Sequence, residues 1–324
     1  MWAPATIAPS IEKVSESALT SESAVSVADP NAAGAADALR TVTAERREAP
    51  PYDLWFRRRI RLRNALRDVW RFRELIISLA ERDYRARYKQ AVLGIAWAIL
   101  TPLMLMVVFT IVFTRIGHAD TGGAPYVLFS YLGLVPWTFF SNSVSSGGQS
   151  IVSNMPIVNK VSCPREVFPF AAIVVGALDA LIASAVLVVL FAVTGYAPRV
   201  EMYYAPVLLL LLLVYTLGIT LVVSSALVYL RDLRQVLPVA IQLGLFATPI
   251  AYGMNVIATS RPTLMAYSLL DPVAPVVDGL RRSVLQGMPP DWALLGMGSI
   301  GALVTFVVGY IIFKRLEVGI ADIA

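Results

Sequence analysis

A chain of 324 residues that is 57% hydrophobic and only 15% charged excludes a soluble globular domain, because such domains carry about 25% charged residues. The net charge of +5 does not point to nucleic acid: 12 of the 27 Lys and Arg lie between Arg57 and Lys89, directly ahead of the first apolar run, as in a segment resting on a membrane surface. One cysteine, Cys163, and one histidine, His118, exclude an intrachain disulfide and a His/Cys metal cluster, and both read as ordinary loop residues.

Residues 1–55 are rich in Ala, Ser and Glu and hold no apolar stretch of the signal-peptide kind, so a disordered cytoplasmic tail is expected there. Residues 56–92 form a basic region. Phe72, Leu75, Ile76 and Leu79 recur at helical spacing, with Trp55, Phe56 and Trp70 among the arginines. This predicts an amphipathic interface helix from about Asp68 to Lys89, lying at the membrane surface. Near Gly94 the chain is expected to turn at right angles into the first span.

Residues 93–324 read as one transmembrane domain. Leu93 to Ile116 is uncharged until Arg115, and as a helix it would reach about 36 Å, more than a hydrocarbon core of about 30 Å. Pro125 to Val152 is the second span and is unusually polar, with Ser141, Asn142, Ser143, Ser145, Ser146 and Gln149. Such groups are expected to face protein or water and not lipid. Phe168 to Val193, Ala205 to Leu230, a short Val236 to Tyr252, and Asp291 to Phe313 complete six spans. Between the last two, Met254 to Gly287 is apolar but broken by Pro262, Pro272, Pro275 and Gly279, which suggests a re-entrant hairpin; an external folded loop is the alternative. With the basic region inside, 18 Lys and Arg fall on the inner side and 5 on the outer. The positive-inside rule then puts both termini in the cytoplasm. Arg281 and Arg282 sit least comfortably in the outer set.

Catalytic chemistry is not signalled. There is no GxxxxGK[ST], so the chain does not bind ATP by that loop, and no GxSxG or HExxH. Asp271 and Asp278 read as helix-end and interface residues. Asp179 lies near the middle of the third span, where an acid is costly; it either bonds to a neighbouring helix or lies on a transport path.

Several stretches resemble the membrane subunits of ABC-2-type polysaccharide exporters, which export O-antigens, capsules, teichoic acids and galactans. They are RDYRARYKQAVLGIAWAILTPL at the first span, GLVPWTFFSNSV in the second, NMPIVNKVSCPREVFPF in the following loop, YLRDLRQ with TPIAY, and the closing FKRLEVGIADI. The resemblance covers about residues 65–324. It implies a homodimer in the cytoplasmic membrane, with two separate ATPase subunits docked beneath and no cofactor in the chain itself. The transported molecule would be a polyprenyl-pyrophosphate-linked glycan. The loop from Ser153 to Glu166 would be the coupling element; Met155, Pro156, Ile157 and Val158 give it an apolar edge, flanked by Asn154, Lys160, Arg165 and Glu166. A plain connecting loop is the alternative. Arg82, Arg85, Arg87 and Lys89 would meet the lipid pyrophosphate, or else anchor to anionic lipid. Trp97, Tyr131, Trp137, Phe139, Phe140 and Asn142 are candidates to line the glycan path, since sugars slide on aromatic faces; aromatic belts at span ends are the competing reading. Two rivals remain at this stage: an ABC-2 permease for a drug or other small molecule, and a membrane-embedded glycan-processing enzyme, which would need a larger outer loop with paired carboxylates.

Overall fold

The computed structural model describes residues 70–89, 94–114, 121–158, 163–257 and 260–323. The expected tail, the basic stretch ahead of Trp70, and Lys160 lie outside the described residues. Every regular element described is helical. In chain order they are α1 (Arg73–Tyr88), α2 (Ala96–Val112), α3 (Tyr126–Ser153), a single turn α4 (Met155–Val158), α5 (Val167–Thr194), α6 (Ala205–Tyr229), α7 (Leu233–Ala247), α8 (Arg261–Leu270), α9 (Val273–Arg281) and α10 (Trp292–Ile323).

Four helices, α3, α5, α6 and α10, are long and apolar enough to cross a membrane. The helices at the expected first and fifth spans are shorter, at 17 and 15 residues. At about 1.5 Å per residue they fall below the roughly 30 Å of a hydrocarbon core. For α7 the cause is local. Thr248 precedes Pro249 and is extended, with ψ 137°, because a proline disfavours helical backbone in the residue before it. For α2, Leu93 and Ile116, the ends of the expected span, lie outside the described residues. Gly94 has φ 48°, a left-handed conformation that favours glycine, at the place where the turn into the first span was expected.

Helix α3 is the centre of the bundle, packed against α2, α5, α6, α7 and α9. It is the least apolar of the four long helices, yet 78% of its 18-residue apolar stretch is buried, against 28% for that of α5. A membrane reverses the usual sorting. Hydroxyls and amides find no partner in lipid, so the polar helix goes inside and the Leu/Val-rich helices surround it. Much of the polarity is satisfied within the helix: Thr138, Ser141, Ser146 and Ser150 each donate to a carbonyl three or four residues back. Helices α6 and α10 cross closely at two glycines. A Cβ at Gly218 would lie 2.7 Å from the Phe306 nitrogen, the small-residue packing that brings membrane helices together.

The apolar stripe of α1 turns to protein. Ile76, Leu79 and Ala80 are buried in a cluster with Ile151 of α3, Val167, Phe168, Ala171 and Val175 of α5, Leu221 of α6, and Tyr310 and Phe313 of α10. The face expected to rest on lipid is thus occupied by the bundle, while Trp70 and Ile77 are exposed. Helical spacing alone does not distinguish these two uses of an apolar stripe.

In the apolar segment before α10, α8 and α9 are 10 and 9 residues long, too short to cross a bilayer. Helix α8 lies on α10, and α9 lies on α3 and α6. Asp271 separates them and has the helix-end role expected of it, accepting from the Val273 nitrogen at 3.1 Å and from the Thr248 hydroxyl at 2.7 Å.

Candidate substrate-loading site

The last turns of α1 carry the cations. Arg82 donates to Asp83 Oδ1 at 2.7 Å and to Asn154 Oδ1 at 2.6 Å, which ties α1 to the end of α3. Arg85 faces the other way, paired with Glu81 in the open, and Lys89 is exposed beside it. Arg87 Nη1 lies 2.6 Å from Asp179 Oδ2, and the Tyr88 hydroxyl donates to Asp179 Oδ1 at 2.7 Å. Burial and the hydrogen bond to Asp179 push Tyr88 up to about 12, so its hydroxyl stays a donor at neutral pH. The mid-span acid therefore bonds to α1, a partner 92 residues away in sequence.

Two cavities meet at this point. One, of about 370 Å³, lies between α1, α2, α3 and α5 and is lined by Arg87, Trp97, Thr138, Phe139, Asn142 and Asp179. The other, of about 860 Å³, runs toward the α3–α4 corner along Arg82, Ser145, Gln149, Asn154 and Ile157. Arg87 and Asn142 line both. The structure thus brings Arg82, Arg87, Trp97, Phe139, Asn142, Asn154, Ile157 and Asp179 around two neighbouring cavities that share Arg87 and Asn142. Cations, amides, hydroxyls and aromatic side chains line them, a donor set suited to a polar anionic group.

It does not bring the other aromatics to those cavities. Tyr131 is fully buried, and its hydroxyl donates to the Ala183 carbonyl at 2.9 Å. Trp137 packs on Phe140 at 5.4 Å between centroids, and Phe140 stacks on Tyr215 at 5.5 Å, all within the core. Among the described residues no group of three or more His, Cys, Asp or Glu could hold a metal ion.

The corner after α3 is anchored inward. Asn154 donates from its amide to the Ser150 carbonyl at 2.8 Å. Met155, Ile157 and Val158 are partly buried against the α1 cluster, which leaves Pro156 as the exposed residue of α4. At the start of α5, Arg165 bonds to the Glu317 carbonyl and Glu166 pairs with Lys314, both on α10.

Sequence reasoning missed Arg281. It is not an outer-loop cation but a buried one, 3% exposed. Its guanidinium donates to the carbonyls of Phe129 at 3.1 Å, Pro249 at 2.7 Å and Tyr252 at 3.1 Å, and also to that of Ile250. The available signal was an arginine inside an apolar, proline-broken segment facing a second such break at TPIAY.

A bundle of apolar helices around a buried polar one, with cations and amides gathered at two neighbouring cavities, defines an all-helical, multi-pass membrane protein. The chain belongs to the ABC-2 type transporter family, whose model matches residues 74–285. It is 27% identical over 255 residues to the O-antigen export system permease protein RfbA of Myxococcus xanthus, covering 78% of this chain and 96% of that one. A Klebsiella pneumoniae protein of the same name is 25% identical, covering 77% and 95%. The polysialic acid transport protein KpsM of Escherichia coli is 26% identical, covering 73% and 91%.

Proposed function

We propose that this chain is the membrane-spanning permease subunit of an ABC transporter that exports a polyprenyl-pyrophosphate-linked polysaccharide, powered by a separate ATPase subunit. The names of its relatives support the polysaccharide. The observation that carries the loading site is the meeting of Arg82 and Arg87 with the polar face of α3 around the two cavities. A lipid pyrophosphate would be held by the guanidinium groups, which match phosphate oxygens in a planar fork, while the sugars meet Asn142, Gln149 and Phe139. Two copies of the chain and two ATPases form the working assembly. The α4 corner serves as the coupling element, with Pro156 offered to the ATPase. Arg85 and Lys89, turned away from the cavities, hold the headgroups of anionic lipid.

Deleting the gene in its host should abolish the surface polysaccharide and accumulate its lipid-linked form inside the membrane. Reconstituted protein with its ATPase should move that lipid-linked glycan into proteoliposomes in an ATP-dependent way. Retention of full surface glycan in the deletion strain would overturn the reading.

In this proposal the chain crosses the membrane six times, α2 and α7 spanning together with the residues that flank them, and both termini are cytoplasmic. Cysteines introduced singly at the exposed Ala197 and Gln235, in a Cys163→Ser background, separate the alternatives. The first should react with an impermeant maleimide from outside. The second should react only after permeabilisation. The opposite pattern would reject this orientation.

A further inference from the structure

We propose that Asp179 is a resident counter-ion that makes the Arg87 site selective for a multiply charged phosphate over the singly charged phosphodiesters of ordinary lipids. This deepens the loading-site reading above and rests on it. The geometry that motivates it is unequal exposure within one ion pair. The Asp179 side chain is 7% exposed and the Arg87 side chain 35%. The carboxylate is fixed from two sides, by Arg87 at 2.6 Å and by the Tyr88 hydroxyl at 2.7 Å, while only Nη1 of the guanidinium is used in the pair. The acid is therefore held in place, and the half-exposed cation lines both cavities.

A bare guanidinium within reach of bilayer lipid would face a large excess of phospholipid. Each headgroup phosphodiester offers one negative charge, and a site that accepted it would be occupied before any rare substrate arrived. Asp179 already supplies one negative charge at hydrogen-bond distance. A phosphodiester reaching the remaining donors would meet a cation whose charge Asp179 already balances, so it gains little. A pyrophosphate carries at least one further charge and further oxygens, which can engage Arg87 and Arg82 together. The pattern repeats at Arg82, which is matched by Asp83 at 2.7 Å. Selectivity here is a difference between two affinities, set as much by what the site withholds from the wrong anion as by what it offers to the right one.

The test uses the full-length chain with its ATPase in phosphatidylcholine nanodiscs. Binding of geranylgeranyl pyrophosphate and of short-chain phosphatidylglycerol is measured on the same preparations. The wild type should prefer the pyrophosphate. Asp179→Asn should narrow that preference by about tenfold, chiefly by tightening phosphatidylglycerol, a change worth about 1.4 kcal/mol. Asp179→Glu, which keeps the charge, should retain most of the preference. An unchanged ratio in Asp179→Asn overturns the proposal, including the case where both affinities weaken together because the carboxylate only braces α1 against α5. Arg87→Ala distinguishes the failure of the underlying reading. If it leaves pyrophosphate binding unaltered, the loading site itself is elsewhere; if it abolishes that binding while Asp179→Asn keeps the wild-type ratio, only the counter-ion role falls.

Discussion

Replacing Arg281 with methionine is expected to lower the melting temperature of the protein in detergent by about 10 °C or more, and lysine is expected to rescue little of it. The guanidinium is buried, and its donors reach carbonyl oxygens at Phe129, Pro249, Ile250 and Tyr252. Three of these lie just past the end of α7, where the chain leaves helical geometry at Thr248 and the carbonyls lose their intrahelical donors. The fourth is on α3. Arg281 thus closes the break after α7 onto the central helix, and its guanidinium carbon also sits 3.6 Å from the centroid of the Phe129 ring. Gly133 makes the room: a Cβ there would lie 2.6 Å from Nη2. Methionine fills a similar volume but donates nothing. Each buried carbonyl left without a donor costs about 1–3 kcal/mol. For a chain of this size, 1 kcal/mol shifts the melting temperature by about 2–4 °C. Lysine keeps the charge, but one ammonium cannot span carbonyls that the planar fork reaches from three nitrogens. Size-exclusion recovery after graded heating measures the effect. A methionine variant that melts with the wild type would show that these carbonyls are satisfied without Arg281.

The same residue shows where sequence reasoning stopped. The long spans were legible because their signal is local: α3, α5 and α6 begin and end within a residue or two of the expected runs. That the polar groups of α3 turn away from lipid was legible too, because hydroxyls and amides find no partner there; that they do so at the centre of the bundle was not. Arg281 was counted among outer-loop cations because its partners are carbonyls some 30 residues away, and a backbone oxygen leaves no mark in the sequence. Asp179 was singled out by cost alone. Its partner, Arg87, lay in a stretch already assigned to the membrane surface, and nothing in the spacing of α1 shows that its last turn meets α5 at its thirteenth residue. The aromatics of the second span divided for the same reason. Phe139 lines a cavity while Tyr131, Trp137 and Phe140 pack inside the chain, and the neighbours that decide between them come from α5, α6 and α7.

Lys314→Met is expected to destabilise the protein in a way that depends on pH. Glu166 begins α5 with a side chain 5% exposed, paired to Lys314, which also bonds to Glu317 at 2.8 Å. Its second oxygen, Oε2, is buried and has no hydrogen-bond partner among the described residues. Burial and the nearby Glu317 raise the Glu166 carboxyl above its ordinary value of 4.5, even though Lys314 opposes the shift. A carboxyl raised in the folded state binds a proton there more readily than in the unfolded chain. Its effect on stability is therefore least unfavourable at low pH, worsens as pH rises from about 4.5 through the raised folded value, and is constant above that. Removing Lys314 removes the main charge holding Glu166 ionised, so the folded value moves further up and the window widens. At pH 8 the variant keeps a buried carboxylate without its cation, a loss of about 3 kcal/mol. As pH falls the raised carboxyl takes up a proton earlier than in the wild type, and the gap to the wild type should narrow. Glu166→Gln in the Lys314→Met background should flatten most of the profile, because the more deeply buried of the two carboxylates that Lys314 serves is gone. Melting temperatures of the three proteins across pH 5–8 make the comparison. Parallel profiles for wild type and Lys314→Met would mean that the start of α5 is held to α10 by Arg165 and packing, with no contribution from the Glu166–Lys314 pair.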